Sequence, residues 1–518
     1  MADEVVDNKT GTISAASKAV LDKIIKDSKM VLDPNNSEAM DAAAHMLREF
    51  AQQAAANKIK ADEKKGILKA LGDAVARLDE ELTRGLNELM HAPEFQRLES
   101  TWRGLHGLVK NSETGERLKL RLLNTNKGDL FDDLTKAVDV DQSQLFKKIY
   151  EEEYGTYGGA PYSMLVADLS IGRNPSDMIL VKELARVAAM AHAPLIAAAD
   201  PALFDLASFT DLGKPRDLSK TFEAVDAAEW RAFRNSEDSR YVALTLPRYL
   251  LRLPYGEKTR KVTQFTFEEF GAFNWRVDDD GEAVAPSDPD QTKRHDAYLW
   301  GNSAYLLAQR VTAAFARYGW SAAIRGVEGG GAVEDLPVHT FNTGEGDLVM
   351  KCPTEVTITD RREKELNDLG FIAVVHKKNE NVAAFFGGQT VNKPISYNLA
   401  LANANAALSS KLPCMLAASR FAHYIKVIMR DKIGSFASRD NVETFLNNWI
   451  ADYVLVNDNA SQSLKAQFPL REARIDVTED PAKPGVYKAT VFLRPHFQLE
   501  ELTASIRMVA SLPAPVGG

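Results

Sequence analysis

The sequence predicts an α/β core that is preceded by an N-terminal helical layer and followed by a C-terminal β-hairpin and a short helix. Three observations support this mixed class. Before residue 112, apolar residues recur every three or four positions, as they do on one face of a helix. From residue 118, strand-like and helix-like segments alternate. Near the C terminus, apolar and polar residues alternate on both sides of a turn-rich segment, which predicts a hairpin.

The first predicted region, residues 1–60, is helical. Within it, residues 13–30 form a short amphipathic segment that is separate from the helices after it. The apolar side of this segment carries Val20, Leu21, Ile24 and Ile25. A detached helix with an apolar stripe is typical of a peptide that a partner binds, and a fraying terminal helix is the alternative.

The second region, residues 61–112, is predicted to contain two longer amphipathic helices that are separated by a break at Pro93. Their apolar stripes include Leu71, Val75, Leu78, Leu82 and Trp102. These helices either pack on each other or leave a stripe for a partner helix. Gly104 and Gly107 lie inside the second helix, where a glycine costs roughly 1 kcal/mol relative to alanine. We therefore expect a close-packing contact at these glycines.

The third region, residues 113–395, is the predicted α/β core. Helices are predicted over Asp177–Ala191, His295–Tyr318 and Asp360–Leu369. The strand-like segments are Leu118–Leu123, Tyr162–Leu169, Leu195–Ala199, Tyr241–Leu246, Val356–Ile358, Phe371–Val375 and Ala383–Phe386. This alternation indicates layers of helices against a sheet.

The fourth region, residues 396–518, begins with two strongly patterned helices, Leu412–Ile433 and Arg439–Leu455. One face of the first helix carries His423, Lys426 and Arg430. This basic face is interpreted either as a solvated flank or as a contact with an acidic partner surface. A last helix is predicted over Gln498–Val509.

The predicted hairpin covers residues 471–494. Its alternating apolar positions include Ile475, Val477, Tyr487, Val491 and Leu493. The intervening turn contains Pro481, Pro484 and Gly485, which are residues that set turn geometry. An isolated two-stranded hairpin is marginal in water, and its edges can accept a strand from another chain. The alternative is that the hairpin joins the chain's own sheet.

The composition limits the function classes. The chain has 518 residues, enough for two or three domains, and a net charge of -9 with both signs interspersed, so a nucleic-acid interface is not expected. Only two cysteines occur, and we expect reduced, unpaired thiols. The N terminus has no secretory pattern and no stretch reaches the length of a membrane span, so we expect a cytoplasmic protein without membrane insertion.

The motifs that carry chemistry are weak. Glu328–Gly331 lacks the ending of a phosphate-binding loop, and the glycines at 387 and 388 predict a tight turn. The acidic turn at 278–281 lacks two carboxylates of a calcium loop. No histidine or cysteine spacing matches a zinc site, and Ser303 lacks the context of a nucleophile elbow. We therefore predict no catalytic, cofactor-binding or metal-binding residue, and no enzyme.

Four blocks of the sequence carry a resemblance to a known family. They are PEFQRLESTWRGLHGLV at 93–109, DRREKELNDLGFIAVVH at 360–376, FFGGQTVNKP at 385–394 and SRFAHYIKVIMRDKIG at 419–434. The chain resembles the large sheath subunit of bacterial type VI secretion systems, the TssC/VipB family, from about residue 60 to the C terminus. The resemblance implies a mixed α+β sheath-type core and a structural role in a contractile sheath.

The same resemblance implies partners. They are a small TssB/VipA-like subunit that pairs with the N-terminal helices, further copies of the chain that exchange strands with the hairpin, an Hcp-like inner tube, a baseplate and a ClpV-type AAA+ unfoldase. It implies that the unfoldase binds the helix at 13–30. It also implies that the last helix faces the tube through Leu499, Leu502 and Arg507.

Two other functions remain as alternatives to a sheath subunit that needs a small partner. The first is a phage-like tail sheath that assembles without a small partner, which homopolymeric tubes would reveal. The second is a soluble α/β hydrolase whose active site is assembled from distant residues, which turnover by a monomer would reveal.

Overall fold

The computed structural model describes residues 23, 25, 37–56, 64–257, 259–269, 295, 298–342, 348–431, 439–457, 459–479 and 487–496. Two compact units divide the chain. The first unit takes residues 1–95 and 254–288, and the second takes residues 96–253 and 289–518. The mixture of helices and sheet confirms the predicted α/β class.

The helices of the described residues are numbered in chain order. They are α1 Ser37–Ala56, α2 Lys64–Met90, α3 Pro93–Lys110, α4 Lys127–Lys136, α5 Gln144–Phe146, α6 Pro175–Ala191, α7 Ser219–Glu223, α8 Ala228–Arg234, α9 Ala304–Tyr318, α10 Asp360–Asp368, α11 Ala400–Ser409, α12 Leu412–Asp431, α13 Arg439–Ala451 and α14 Gln462–Gln467. Shorter helical turns cover Val140–Gln142, Lys147–Tyr154, Pro201–Phe204, Phe209–Gly213, Val225–Ala227, Asp238–Tyr241 and Val327–Gly331.

The strands are also numbered in chain order. They are β1 Leu165–Ile171, β2 Leu195–Ala199, β3 Val242–Leu246, β4 Tyr249–Leu250, β5 Trp300–Gly301, β6 Ala332–Val333, β7 Thr340–Asn342, β8 Leu348–Met350, β9 Phe371–His376, β10 Ala383–Phe385, β11 Leu470–Glu479 and β12 Tyr487–Pro495.

In the first unit, α1 and α2 are the long described helices. Ile25 is fully buried and packs with Ala43 and Ala44 of α1. The end of α2 is held by polar contacts. His91 Nε2 lies 3.2 Å from the carboxylate of Glu269, whose second oxygen accepts from the Tyr255 amide at 2.7 Å.

The second unit is built on a six-stranded sheet with the order β1-β2-β3-β9-β10-β6. The first four strands are parallel, and β10 runs antiparallel to both of its neighbours. Parallel strands need crossover connections, and α6 supplies the one between β1 and β2. Asn174 caps the N terminus of α6 by accepting from the Asp177 amide, and Pro175 suits its first turn.

Both faces of this sheet are covered, because alternate residues of each strand enter different cores. In β9, Phe371 packs on one face with Leu244 and Trp230, whereas Ile372 packs on the other face with α9. The rings of Trp230 and Phe371 are stacked with centroids 5.8 Å apart. The strands of a sheet that is covered on both faces have sequences that are apolar along nearly their whole length, as those of β2 and β3 are.

A third core lies under the C-terminal hairpin. The strands β11 and β12 form a separate two-stranded sheet that packs on α12 and α13. Trp320 stacks on Phe421 of α12 with ring centroids 4.5 Å apart. Part of this hairpin's burial therefore comes from its own chain.

The two glycines of α3 differ in their surroundings. A Cβ on Gly104 would lie 2.5 Å from the ring of Tyr305, whereas one on Gly107 would meet only Gln309 at 3.4 Å. Leu108 of α3 packs with Tyr305 and Ala308 of α9. The expected close-packing contact is confirmed at Gly104, where the helix seats directly against a tyrosine ring.

Several predicted elements are wrong. Neither Leu118–Leu123 nor Val356–Ile358 forms a strand. The helix predicted from His295 begins only at Ala304, because Trp300–Gly301 forms the short strand β5 against β4. That helix ends at Tyr318, as predicted, and the φ of 78° at Gly319 suits a glycine after a helix.

Candidate assembly surfaces

The described residues contain no group of three His, Cys, Asp or Glu side chains that could hold a metal ion. Two depressions lie on the surface of the described residues. One of about 530 Å³ is lined by Arg216, Lys220 and Arg361, among others, and one of about 270 Å³ lies beside residues 116–121. Ser303 is buried and its hydroxyl donates to Thr245 Oγ1 at 3.0 Å, which leaves it no role as an exposed nucleophile.

The backbone after the glycine pair that follows β10 is held by a side chain of α10. The amides of Gly388 and Gln389 both donate to Asn367 Oδ1, at 3.2 and 3.3 Å. A Cβ on Gly387 would lie 2.7 Å from the same oxygen. The amides of Gly388 and Gln389 are therefore already bonded and are not available to an anion. The backbone forms no turn or bend at residues 386–388, so the predicted tight turn is wrong. The acidic turn at 278–281 lies outside the described residues.

The basic face of α12 contacts other segments of its own chain. Its His423 is buried and its Lys426 and Arg430 are half-buried, so the predicted solvated flank is wrong for His423. His423 is buried and its Nε2 donates to Ala191 O at 2.9 Å. The ammonium of Lys426 lies 3.5 Å from the centroid of the Tyr154 ring. Arg430 donates to the carbonyls of Thr156 and Tyr154. Spacing alone could not distinguish these roles, because the accepting carbonyls come from distant segments.

Burial governs the charge of the imidazole at position 423. It lowers the pKa of His423 to about 4, with the cations Arg420 and Lys426 acting in the same direction. Burial also lowers the pKa of His192, which packs beside His423. Both imidazoles are therefore neutral at pH 7, which suits a packed core.

The apolar face of the hairpin lies against its own chain. Ile475 and Val477 are fully buried with Phe421, Val442 and Leu446. Val491 and Leu493 of β12 pack partly against the same core. The backbone of Tyr487 pairs with Glu479, and its side chain lies outside the described residues. Whatever these positions contribute to an assembly, the side chains of Ile475, Val477, Val491 and Leu493 do not present a bare apolar face.

The outer edge of β11 is occupied by side chains of α13. The amide of Ile475 donates to Asn447 Oδ1 at 2.9 Å, and the Asn447 amide donates to the Ile475 carbonyl at 2.7 Å. The amide of Val477 donates to Glu443 Oε2 at 3.0 Å. An unpaired strand edge is the usual template for a foreign strand. Here the helix supplies those hydrogen bonds instead.

The outer edge of β12 is different. Ile475 pairs with Val491, and Val477 pairs with Ala489. The amides of Ile475 and Val477 point away from β12, so the pairs Ile475–Val491 and Val477–Ala489 are not hydrogen-bonded to each other. In such pairs of an antiparallel ladder, the partner amides also point outward, so the amides of Val491 and Ala489 point away from β11. No strand in the described part of the chain pairs with that side of β12. The hairpin therefore has one closed edge and one open edge.

The segment 118–123 has the sequence pattern of a strand, and none of the described strands pairs with it. Leu120, Leu122 and Leu123 are exposed, at 37%, 66% and 48% of their surface. Arg121 anchors the segment through the Glu153 carboxylate and the Tyr162 hydroxyl. An exposed segment with alternating leucines is suited to adding, as a strand, to the edge of another sheet.

A stripe along α2 in the first unit is exposed. Val75, Leu78 and Leu82 are each about half exposed, and Leu86 and Leu89 continue the same face. The side chain of Leu71 lies outside the described residues. In an ordinary surface helix, such a stripe would face a core.

In the second unit, α3 has two faces. The face with Gly104 and Leu108 packs on α9, whereas Leu98, Trp102 and Val109 follow an exposed face. Trp102 is 57% exposed, which is unusual for the largest apolar side chain. Contiguous exposed apolar surface of this kind marks an interaction site.

The predicted sites at the chain ends are mostly outside the described residues. This applies to Val20, Leu21 and Ile24, and to the predicted tube-facing residues Leu499, Leu502 and Arg507. Ile25 is described, and it is buried against α1. None of the helices that the structure describes has the length and apolar character needed to cross a bilayer.

Comparison with known proteins identifies the class of protein to which this chain belongs. Residues 72–392 match the family model described as EvpB/VC_A0108, tail sheath N-terminal domain. Residues 401–512 match the tail sheath gpW/gp25-like domain of the same series. With a mixed fold and surfaces suited to assembly, these matches define a tail sheath protein.

A curated relative narrows this class. The type VI secretion system sheath protein TssC1 of Pseudomonas aeruginosa is 47% identical over 450 residues, which cover 86% of either chain. The chain belongs to the TssC/VipB family of type VI secretion sheath proteins, and the predicted resemblance is confirmed. These matches support a structural sheath subunit rather than the two alternatives.

Solved structures give weaker matches. The baseplate of the anti-feeding prophage contains a chain with 11% identity and a TM-score of 0.34, which covers 63% of this chain and 64% of that one. The contracted helical sheath of the same particle gives 12% identity and a TM-score of 0.31, over 62% and 65%. Each match spans less than two thirds of the solved chain.

Proposed function

We propose that this chain polymerises, together with a small TssB/VipA-like subunit, into a contractile sheath around an Hcp-like tube, and that contraction drives the tube toward a target cell. The observation that carries this proposal is the open outer edge of β12 on a hairpin whose other edge is closed. A strand that enters this edge from a neighbouring copy makes a heterologous contact. A heterologous contact whose rotation does not close a ring produces a helical filament when it is repeated.

The strand that enters the open edge is assigned to the segment 118–123 of a neighbouring copy. It is exposed and strand-like in sequence, and it pairs with no strand in the described part of its own chain. Backbone hydrogen bonds supply the affinity of such a contact, and alternate side chains supply its register. Leu120 and Leu122 are two residues apart and would lie on the same face of the added strand.

The small subunit is assigned to the exposed helical stripes. Val75, Leu78 and Leu82 form one stripe on α2, and Leu98 and Trp102 lie on α3. An amphipathic helix binds another apolar stripe through residues at this spacing. The companion is therefore expected to present helices of its own.

The remaining partners follow from the family. We place the last helix, with Leu499, Leu502 and Arg507, toward the tube, and one end of the polymer on a baseplate. A ClpV-type unfoldase is assigned to the helix at 13–30. Because Ile25 is buried against α1, access to that residue requires this contact to open. The whole assembly is placed in the cytoplasm.

No catalytic group is assigned to this chain. The work of contraction would come from the difference in free energy between an extended and a contracted packing of the same subunits. This free energy would be stored when the sheath assembles in the extended packing. Strand exchange would keep the subunits linked while they rotate and slide. Nucleotide hydrolysis would occur in the recycling unfoldase, so the sheath chain itself needs no active site.

Two proline variants test the assigned strand exchange. Val491→Pro removes an amide from the open edge while it leaves the hydrogen-bonded pairs between β11 and β12 intact. Leu122→Pro removes an amide from the donor segment. Each variant, co-expressed with the small subunit, should form no long sheaths. When the two variants are mixed, the intact segment 118–123 of the Val491→Pro variant can still bind the intact β12 edge of the Leu122→Pro variant. Each such contact joins two heterodimers and cannot be extended, so the mixture should contain discrete pairs of heterodimers.

The matched controls Val491→Ala and Leu122→Ala keep the amides and should still form sheaths. Electron microscopy and analytical ultracentrifugation of each sample provide the readout. Long sheaths from Leu122→Pro would show that another segment supplies the strand. Long sheaths from Val491→Pro would contradict the open-edge contact.

A further inference from the structure

The donor segment, residues 118–123, lies against its own chain with few contacts. It pairs with none of the described strands, and its one backbone–backbone hydrogen bond among the described residues joins the Leu118 carbonyl to the Gly115 amide at 2.9 Å. Residues 116–121 line the depression of about 270 Å³, together with residues of α9 and α12 such as Phe315 and Leu416. Closely packed protein contacts leave few gaps larger than a water molecule. The donor segment is therefore not closely packed against these two helices.

One side chain of the donor segment is anchored on the rest of the chain. The guanidinium of Arg121 donates to the Glu153 carboxylate and, at 3.3 Å, to the Tyr162 hydroxyl. It also lies 5.6 Å from the centroid of the Tyr162 ring, which is within the range of a cation–π contact. The other side chains of the segment are four leucines and Lys119. Leucines cannot form such bonds, and Lys119 has no hydrogen bond within the described residues, so the polar attachment depends on Arg121.

The Glu153 carboxylate is held in place by its surroundings. Its side chain is only 15% exposed, and its second oxygen, Oε2, accepts from the Ala160 amide at 2.8 Å. Burial by itself would raise the pKa of Glu153, but the bonds from the Ala160 amide and Arg121 outweigh it and hold that pKa below its usual range. The charge of Lys119 acts in the same direction as these bonds. At pH 7 the donor segment therefore meets an ionised and oriented carboxylate.

The place of Arg121 in the donor segment sets this anchor against strand exchange. Arg121 is the fourth of the six residues, and neighbouring strands of a sheet lie about 4.8 Å apart along their whole length. A segment that is tied to its own chain at this residue cannot also lie along the β12 edge of another copy.

We propose that the ion pair of Arg121 and Glu153 is a latch, which holds the donor segment on its own chain and must open before the segment enters a neighbour's β12 edge. The latch rests on the strand exchange proposed above, and it adds control over when the donor segment becomes available. Such control has a physical reason, because a free apolar segment of this kind can pair with any exposed strand edge.

Trypsin tests whether the latch holds the donor segment, and it does so without assembly. To cleave after Arg121, trypsin must take into its acidic pocket the same guanidinium that Glu153 binds. The complex of the full-length chain with the small subunit carries Val491→Pro, which the proposed exchange leaves unassembled. Glu153→Gln keeps an oxygen for the Ala160 amide but removes the charge. Cleavage after Arg121, followed by mass spectrometry, should then become roughly twofold to fivefold faster, the range of an exposed ion pair.

Glu152→Gln is the matched control, because it removes a carboxylate from the adjacent, exposed position and leaves the latch intact. It should not change the rate of cleavage after Arg121. Circular dichroism should show that both glutamine variants are folded.

A second experiment measures strand donation one contact at a time. Heterodimers with Val491→Pro have an intact donor segment, and heterodimers with Leu122→Pro have an intact β12 edge, so their mixture forms the discrete pairs described above. When Glu153→Gln is added to the Val491→Pro chain, stopped-flow light scattering should show that pairs form roughly twofold to fivefold faster. Glu152→Gln in the same chain should leave this rate unchanged.

The two experiments separate the latch from the strand exchange on which it rests. Unchanged cleavage after Arg121 in the Glu153→Gln variant would overturn the latch, because other contacts would then hold the segment. Faster cleavage without faster pairing would overturn it as well, since release would not limit donation. If no mixture formed pairs, including the mixture with the Glu152→Gln control, the strand exchange itself would be contradicted, and with it any control of that exchange.

Discussion

The six-stranded sheet and the C-terminal hairpin use their strands in opposite ways. The sheet is covered by helices on both faces, so residues such as Phe371 and Ile372 are buried on opposite sides of one strand. The hairpin buries one face, closes the β11 edge with Glu443 and Asn447, and leaves the β12 edge open. The difference suggests a rigid body that keeps its shape and a peripheral element that makes connections.

The largest effect on folding is expected in the enclosed sheet. Phe371→Ala would remove a ring that packs with Trp230, Phe204 and Phe222. A buried Phe→Ala change costs about 3 to 5 kcal/mol, so denaturant unfolding should show a loss of that size. At temperatures where this variant remains folded, it should still form sheaths. If Phe371→Ala lost assembly but kept its stability, the six-stranded sheet would not be a rigid body that is separate from the connecting hairpin.

A smaller loss is expected at the closed edge of the hairpin. Asn447→Ala would leave the Ile475 amide and carbonyl without partners in a partly buried place. An unsatisfied buried group costs about 1 to 3 kcal/mol. The uncovered edge should also accept strands, so light scattering should show lateral association that wild type lacks. If the variant keeps its stability and remains dispersed, Asn447 does not close this edge.

The next effect depends on pH and lies where α12 meets the core. In the unfolded chain His423 has an ordinary pKa near 6.5, and in the folded chain burial lowers it to about 4. Above pH 6.5 the imidazole is neutral in both states. As the pH falls below 6.5, the unfolded chain binds the proton first, so this group removes about 2 kcal/mol of the free energy of unfolding by pH 5.

His423→Gln tests this linkage, since glutamine can still donate to the Ala191 carbonyl. Urea unfolding at pH 7.5 and at pH 5 should show a smaller acid loss in the variant than in wild type. Equal losses in both proteins would mean that His423 titrates normally in the folded chain.

The smallest effect on stability is expected on the exposed stripe of α2. Leu78 is half exposed, so Leu78→Lys should change the free energy of unfolding by less than about 0.5 kcal/mol. The same change places a charge in the assigned contact with the small subunit and should abolish co-purification. Glu81→Lys, off the stripe, is the matched control. Retained co-purification of Leu78→Lys would exclude this stripe from the interface.

The sequence predicted the enclosed sheet well. Leu195–Ala199 is a strand as predicted, and the helix predicted from Asp177 begins two residues earlier at Pro175. These elements bury continuous apolar runs, which periodicity detects directly. Leu118–Leu123 failed because strand propensity measures suitability for a sheet and does not say whether the partner strand is in the same chain.

The sequence predicted some of the functional surfaces but not others. Exposed leucines on α2 follow from helical spacing, but the role of His423 depends on the Ala191 carbonyl, more than two hundred residues away. The closed edge of β11 likewise depends on Glu443 and Asn447, which are polar residues on a helix that sequence patterning assigns to the solvent side. Long-range hydrogen bonds of this kind have no signal in local spacing.

The most direct test compares Val491→Pro with Val491→Ala, each co-expressed with the small subunit and imaged by negative-stain electron microscopy. Both variants lose the valine contact with the hairpin core, but only the proline removes an amide from the β12 edge. If the open edge links the copies, the alanine variant forms hollow sheaths and the proline variant, folded by circular dichroism, forms only heterodimers. Sheaths of equal length from both variants would contradict it.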